Sequence, residues 1–428
     1  MAAITTTPAD TPPADAPSID TIHSSRQVGL AVATVLLGLV MVVAFGIGSA
    51  SGLDATFVLS RKGQDLPDLT LPARTTCLAL GGAVIAVGLL QLVGLVRRRY
   101  YLIFSVVLLL FLVALLAWAA RGTDTNIAGL LAGTLTRSIP LVLGALSGLL
   151  CERSGVINIG IEGMLLAGAF VGALVASAAS TVWLGMLGGI GAGMLLGALL
   201  AVLSIRYRVD QIIAGTGINL LALGLTSFLT ARVLVEYPDL NRPGAFRPLK
   251  LPLLGDLPLA GPVLFNNTVF VYLMYALVFG LAWALFRTRW GLRVRAVGEH
   301  PAAADTVGID VLRTRYRSVI AGGGIAGLAG TWFTLDAVSG FDENMTAGRG
   351  FIALAALIFG RWHPIGAFSA ALVFAFSEEL QGRLAVLDTP IPGEFLLALP
   401  YVVTIVVVAG LIGRARAPAA DGKVYERY

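Results

Sequence analysis

The stretch LLCERSGVINIGIEGMLLAG, residues 149–168, sets Glu152, Arg153, Asn158 and Glu162 between two apolar runs, with Gly155, Gly160 and Gly163 interleaved. Two acids, a base and an amide at that spacing could hold a polar solute by hydrogen bonds. Three glycines weaken a helix there, and in hydrocarbon irregular backbone survives only where protein wraps it or a wet cavity borders it. The stretch therefore reads as an interruption inside the membrane, or as a surface loop in which Glu152 and Arg153 are solvated and Asn158 caps the next helix. Asn158 and Glu162, one helical turn apart and within the following apolar run, fit the interruption better. An intramembrane ionisable residue marks a functional site by default, and broken helices are where transporters hold substrate. The candidate solute-path residues are Asn158, Glu162, Glu152 and Arg153, with Asn219 from the Gly-flanked run GTGINLLALG (215–224). For Asn219 the competing reading is simple packing against a neighbouring helix.

Catalysis is not expected from these residues. The sequence has no nucleophile elbow, zinc pair or His–acid constellation, and a membrane-embedded transferase would have to use Glu162 with Asp342 or Glu343. The lysines are Lys62, Lys250 and Lys423, none in a G-x-x-x-x-G-K-[ST] loop, so the chain cannot hydrolyse ATP alone. Its apolar runs lack the spaced acids and histidines of a proton relay; His300 and His363 lie in predicted loops and His23 in the tail. Cys77 and Cys151 lie in or beside apolar segments and are too few for a disulfide framework or a metal cage.

The elements that must position the candidates are membrane helices. Of 428 residues 57% are hydrophobic and 13% charged, with mean hydropathy +0.85, against roughly 25% charged in a soluble domain. Uncharged stretches at 27–50, 75–96, 100–120, 181–205, 211–231, 268–286, 318–335 and 395–413 each reach the roughly 20 residues that span a bilayer core. The fold class is all-α: a polytopic membrane protein with about 10–12 transmembrane or half-membrane helices. Residues 1–26, rich in Pro, Thr and Asp, read as a disordered cytoplasmic tail with no signal peptide. Residues 27–124 are N-terminal transmembrane helices, 125–413 the core, and 414–428 a second cytoplasmic tail.

Orientation follows from basic residues. Seven Arg against three acids in 287–317 put that loop in the cytoplasm and the Pro-rich loop 237–267 outside. The net charge of +5 is explained by this bias, and no nucleic-acid partner is expected. Counting forward leaves the C-terminal tail outside unless the chain breaks at GRWHP, Gly360 to Pro364, where Pro opposes a continuous helix. Two short helices, about 349–361 and 364–380, restore the parity.

Within the basic loop, VGEHPAAADTVGI (297–309) reads as a short helix opened by Pro301 and closed by Thr306 to Gly308. It suits insertion into a groove on another protein, or it is a solvated connector held near anionic lipid.

Several runs in order resemble one family: ERSGVINIGIEGMLLAGAF (152–170), INLLALGLTSFL (218–229), GLRVRAVGEHPAAADTVGI (291–309), FDENMTAGRGFIALAALIFGRWHP (341–364), LPYVVT (399–404) and the closing APAADGKVYER. The chain from about 125 onward resembles permease subunits of nucleoside-type ABC importers, within the superfamily of branched-chain amino acid and simple-sugar permeases. The resemblance implies a bacterial cell-membrane location, a second related permease, a cytoplasmic ATP-binding subunit that carries the ATP and Mg, and an extracytoplasmic substrate-binding lipoprotein. It makes 297–309 the coupling segment, with Gly298, Glu299, Ala303, Ala304, Asp305 and Gly308 toward the ATPase, and it places Gly348, Arg349 and Gly350 in a family motif near the outer end of a short helix. The implied solute is a nucleoside or related base, or else a simple sugar such as ribose. A secondary transporter driven by an ion gradient is the rival class.

Overall fold

The structure, a computed structural model, describes residues 19–48, 52–59, 67–95, 100–386, 395, 398 and 416–426. The chain divides into two compact units, Met1–Val58 with Pro67–Thr125, and Leu59–Leu66 with Asn126–Tyr428. Among the described residues, nine helical segments are long and apolar enough to cross a bilayer. Apart from Phe395 and Ala398, the span expected at 395–413 lies outside the described residues.

The first unit holds helices α1 (Ile19–Val40), α2 (Ala73–Leu92) and α3 (Tyr100–Ala119). A short ribbon of β1 (Asp54–Val58) and antiparallel β2 (Leu69–Pro72) pairs Asp54 with Pro72 and Phe57 with Leu69. Residues 1–18 of the expected tail lie outside the described residues, but 19–26 are helical. The correction has a local cause: neither Pro nor Gly lies between Ile19 and Val28 to stop α1 extending beyond its apolar stretch.

The second unit begins with α4 (Ile127–Glu152), α5 (Ile161–Ala179), α6 (Val182–Ala201) and α7 (Gln211–Leu229). The short α8 (Ala260–Leu264), α9 (Val269–Arg287), α10 (Arg289–Glu299) and α11 (Pro301–Thr306) follow. It closes with α12 (Val311–Trp332), α13 (Arg349–Phe359) and α14 (Pro364–Val386). Side chains set several helix starts by accepting orphan backbone N–H groups. Asn126 accepts from Gly129 at 2.6 Å, Asp210 from Ile212 and Ile213, and Asp310 from Arg313.

The core centres on α4, α5 and α12, with α6 laid on α12 and α13 and α14 against α4. The α6–α12 crossing is close because both faces are glycine: a Cβ on Gly193 would fall 2.6 Å from Gly327 N and 2.7 Å from its Cα. Small residues are what allow backbones to approach in lipid, where no hydrophobic drive brings helices together.

The break expected at GRWHP is present. Helix α13 has 11 residues, about 16 Å at 1.5 Å per residue, which is half of a hydrocarbon core of about 30 Å. Arg361 and Trp362 then adopt left-handed backbone, and Pro364 starts α14. The chain therefore returns to the end of the bundle that carries the basic loop. The tail joins that loop: Ala420 N–H donates to Gly298 O at 2.9 Å, and Arg315 Nη1 donates to Lys423 O at 2.9 Å. Loop 287–317 and residues 416–426 thus share one end, as the parity argument requires. The Pro-rich connection follows α7 and precedes α9 at the opposite end, where Asn241 brackets Phe341 with backbone bonds of 2.6 and 2.9 Å.

Gly193→Val should cost about 1–3 kcal/mol by overpacking, read as a lower melting temperature of the detergent-purified protein. Gly191→Val, on the same helix with open space around it, should melt like the parent; equal loss from both would remove the crossing as the cause.

Candidate functional site

Between α4 and α5 the chain runs from Arg153 to Gly160 without helix, and most of this stretch is buried in protein rather than solvated. It is unwound and wrapped by protein after a helix of full crossing length, and Arg153 ties the end of α4 to the α13–α14 turn. Arg153 donates to Trp362 O from Nε at 2.9 Å and from Nη2 at 2.7 Å. Glu152 accepts from the Trp362 indole N–H. The α4 end is thereby fixed to the turn that closes α13. Asn219 accepts from Gly163 N–H at 2.8 Å and donates to Ile159 O at 2.9 Å, so α7 holds both sides of the α5 start. Asn158 is fully buried; its amide N–H group faces Cys151 Sγ at 3.6 Å and Met164 Sδ at 3.7 Å, while its Oδ1 accepts no hydrogen bond.

Glu162 takes the most demanding position. Its carboxylate accepts from Thr346 Oγ1 at 2.6 Å, Gly348 N–H at 2.8 Å and Gly350 N–H at 2.6 Å. A half-length helix leaves its first N–H groups inside the bilayer, and an anion at that terminus satisfies them and meets the positive end of the helix dipole. Gly350 leaves the room this needs, since a Cβ there would stand 2.6 Å from Glu162 N and Cα.

The next residue of this anchor opens onto a polar cavity of about 670 Å³, lined from α4 by Thr136 and Arg137, from α12 and its extension by Trp332, Phe333 and Asp336, from the following loop by Asp342, and by Arg349 and Arg383. The size lies within the range of small-molecule sites. An ion-pair network crosses its wall: Arg137 bonds Glu379 at 2.7 Å and Glu378 at 3.4 Å, Arg349 pairs with Glu378, and Arg383 bonds Glu379 at 2.9 Å. The lining sets Arg137, Arg349 and Arg383 with Asp336 and Asp342; with Glu378 and Glu379 paired behind the guanidiniums the formal charge is within one unit of neutral, and every guanidinium is paired. Such a lining offers donors and acceptors, with Trp332 and Phe333 packed edge to face at its wall, to a neutral polar solute and little to a phosphate. A larger groove of about 890 Å³ beside α4, α9 and α14 is almost wholly apolar and lacks that recognition chemistry.

None of the five candidate solute-path residues lines the polar cavity. They hold the broken backbone beside it, and only Glu162 reaches it, through Arg349. The sequence reading passed over Arg137, Asp336, Glu378, Glu379 and Arg383. Arg137 and the pair Glu378–Glu379 interrupt apolar runs, the signal that had drawn attention to Glu162.

The second cluster lies at the basic end. Helix α11 starts at Pro301, with His300 Nδ1 accepting from Ala303 N–H at 3.1 Å, and left-handed Gly308 follows it. Ala304 is buried against Val297 and Val311. Glu299, Ala302, Ala303 and Gly308 are exposed, Asp305 is half-buried, and Gly298 is buried with the Arg153 carbonyl where a Cβ would be. Burial lowers the pKa of Arg153 from its ordinary value, and burial with the nearby Arg153 charge lowers that of His363. Burial pushes the Asp421 carboxyl up to about 7, against opposing pulls from Gly422 N–H, Arg315 and Glu152.

Comparison with known proteins decides the class. The family of branched-chain amino acid transport system permease components matches residues 130–408. The chain belongs to this family. The permease is 41% identical over 301 residues to the guanosine ABC transporter permease protein NupQ of Bacillus subtilis, covering 68% of this chain and 94% of that one. It is 39% identical over 310 residues to the nucleoside ABC transporter permease protein NupC of Lactococcus lactis, covering 69% and 96%. A putative glucose ABC transporter permease, TsgC13 of Haloferax volcanii, is 38% identical over 260 residues, 60% of this chain and 78% of that one. With its apolar helices, the permease is a multi-pass protein of the bacterial cell membrane.

Glu162→Gln leaves at least one of three buried donors with a poorer acceptor and should cost about 2 kcal/mol, read as a lower melting temperature; an unchanged value would remove the anchoring role. Asp421 has a raised pKa in the folded chain, so its contribution is complete below the ordinary carboxyl pKa of about 4 and is lost as pH rises through about 7. Protection of the tail amides, taken as the ratio of intrinsic to observed exchange rate so that base catalysis cancels, should fall across that window, and Asp421→Asn should flatten the dependence.

Proposed function

We propose that this permease is the membrane subunit of an ATP-driven importer whose solute is a nucleoside or a related base. The observation that carries the reading is the near-neutral polar cavity, taken with relatives named for guanosine and nucleoside transport that align over almost their whole length. A nucleoside is uncharged, presents donors and acceptors on base and ribose, and has a π-face for Trp332 and Phe333. A solute that must leave again needs only moderate affinity, which suits a lining whose charges are already paired.

The energy comes from a separate cytoplasmic subunit that binds ATP and Mg; this chain supplies no nucleotide loop and acts as a non-catalytic member. On this reading the basic end faces the cytoplasm, and with it both ends of the chain. The exposed edge of α11, Ala302 and Ala303, with Glu299 at the end of α10, enters a groove on the ATPase, while Ala304 and Gly298 seat it. A second, related permease completes the pathway. An extracytoplasmic binding protein delivers solute to the opposite end, where the Pro-rich connection and the cavity mouth lie. Closure of the nucleotide sites displaces α11, and the bundle alternates access around the cavity. Asn158, Glu162, Asn219, Glu152 and Arg153 serve the path by holding its broken backbone in register.

The test is co-purification of the assembled complex followed by ATP-dependent uptake in vesicles. Labelled guanosine or uridine should accumulate and survive collapse of ion gradients, with excess unlabelled nucleoside competing and glucose or ribose not. Ala303→Trp should lower uptake about tenfold, within the usual span of intersite coupling, while the permease stays folded; uptake that follows the ion gradient would overturn the reading.

A further inference from the structure

Residues 416–426 do not merely end the described chain. They form a strap across the basic end, fastened at several separate points. Ala419 N–H donates to Glu299 Oε2 at 3.2 Å, and Ala420 N–H donates to Gly298 O at 2.9 Å. Arg315, almost wholly buried in α12, donates to Lys423 O at 2.9 Å. Tyr425 packs against the cluster of Val297, Ala304 and Val311. Glu426 pairs with Arg208 in the connection between α6 and α7. Asp421 lies beside Glu152, which accepts from the Trp362 indole N–H in the α13–α14 turn.

Two consequences follow from this fastening. The buried face of α11 rests on Ala304, and Tyr425 is part of what Ala304 rests against, so α11 and the strap cannot shift independently without opening that small core. The outward side of the strap, Arg416, Ala417, Ala419 and Lys423, is exposed next to the exposed Glu299 of the segment leading into α11. Helix α11 has only 6 residues, a small footprint for transmitting force; the strap extends the same surface toward the α6–α7 connection.

We propose that the strap is a second docking element for the cytoplasmic ATPase, continuous with α11 and moving with it as one block. The inference rests on the importer reading above. An anionic lipid surface is the weaker occupant: recognition of that kind uses clusters of about 4–8 basic residues, whereas the strap sets Arg416 and Lys423 against Glu426 and Asp421. The occupant is instead the subunit that α11 meets, because the two surfaces are joined edge to edge by backbone bonds at Gly298 and Ala420.

The test places the photoreactive residue p-benzoylphenylalanine singly at Ala303 on α11, at Ala419 and Lys423 on the strap, and at Leu253 in the Pro-rich connection as a remote exposed control. Each variant is illuminated within the full complex. Adducts with the ATP-binding subunit should form from Ala303, Ala419 and Lys423 and not from Leu253, with strap yields changing in parallel with the Ala303 yield when a non-hydrolysable nucleotide is added. Adducts from Ala303 alone, or strap adducts with lipid, overturn the strap inference and leave the importer reading standing. An absence of ATPase adducts from Ala303 as well overturns the docking assignment beneath both.

Discussion

Backbone that stops being helical where protein shuts out water has to find its hydrogen bonds within the protein, and this one constraint organises the second unit. Two interruptions face each other: the extended run from Arg153 to Gly160 and the half-length α13. Glu162 answers the open N–H groups at the start of α13, Asn219 answers those around the start of α5, and Arg153 with Glu152 answers the turn after α13. Each polar side chain closes a gap left by one helix with a group from another. The polar residues are thus the reason the broken helices can exist at all, and the short α13 is what lets Arg349 face the polar cavity.

The same logic explains where charge is tolerated. A lone guanidinium near the bilayer centre is costly, yet Arg137, Arg349 and Arg383 share the wall of one cavity because Glu378 and Glu379 are interleaved with them on α14. The network draws on α4, α13 and α14, so it also joins three helices that meet the cavity from different sides. Relative motion among those helices must exchange ion-pair partners rather than break charges free, which makes small rearrangements accessible in a medium that would otherwise forbid them.

Much of this is legible in the sequence. The interruption at 153–160, the break at GRWHP and the short helix opened by Pro301 each carried a physical mark: clustered glycine and polar residues, a proline that cannot continue a helix, and a proline suited to starting one. The shared location of the basic loop and the tail followed from the positive-inside bias of both segments together with the break at GRWHP. The uncharged-run criterion could not find α4, which Arg137 interrupts near its middle; α5, uncharged from 163 onward, lies in the long run of which only 181–205 counts as a span. The roles of the five polar candidates were also beyond a linear reading. A buried carboxylate that receives three donors and one that faces a solute look alike in sequence, because the donors, Thr346, Gly348 and Gly350, come from a segment far along the chain. The Asp54–Val58 ribbon and the early start of α1 were missed for the opposite reason, since short polar stretches offer little periodicity to read.

The reach of that Glu162 contact has a consequence for how the protein is made. Its partner Gly348 lies 186 residues further along the chain, so at a synthesis rate of about 5–20 residues per second roughly ten to forty seconds pass before the acceptor meets its donors. Through that interval α5 occupies or awaits the bilayer with an unmatched carboxylate, and α13, too short to span on its own, has nothing to insert against until α5 is in place. The Glu162 carboxylate must therefore stay within reach of water or of other donors until the α13–α14 hairpin arrives.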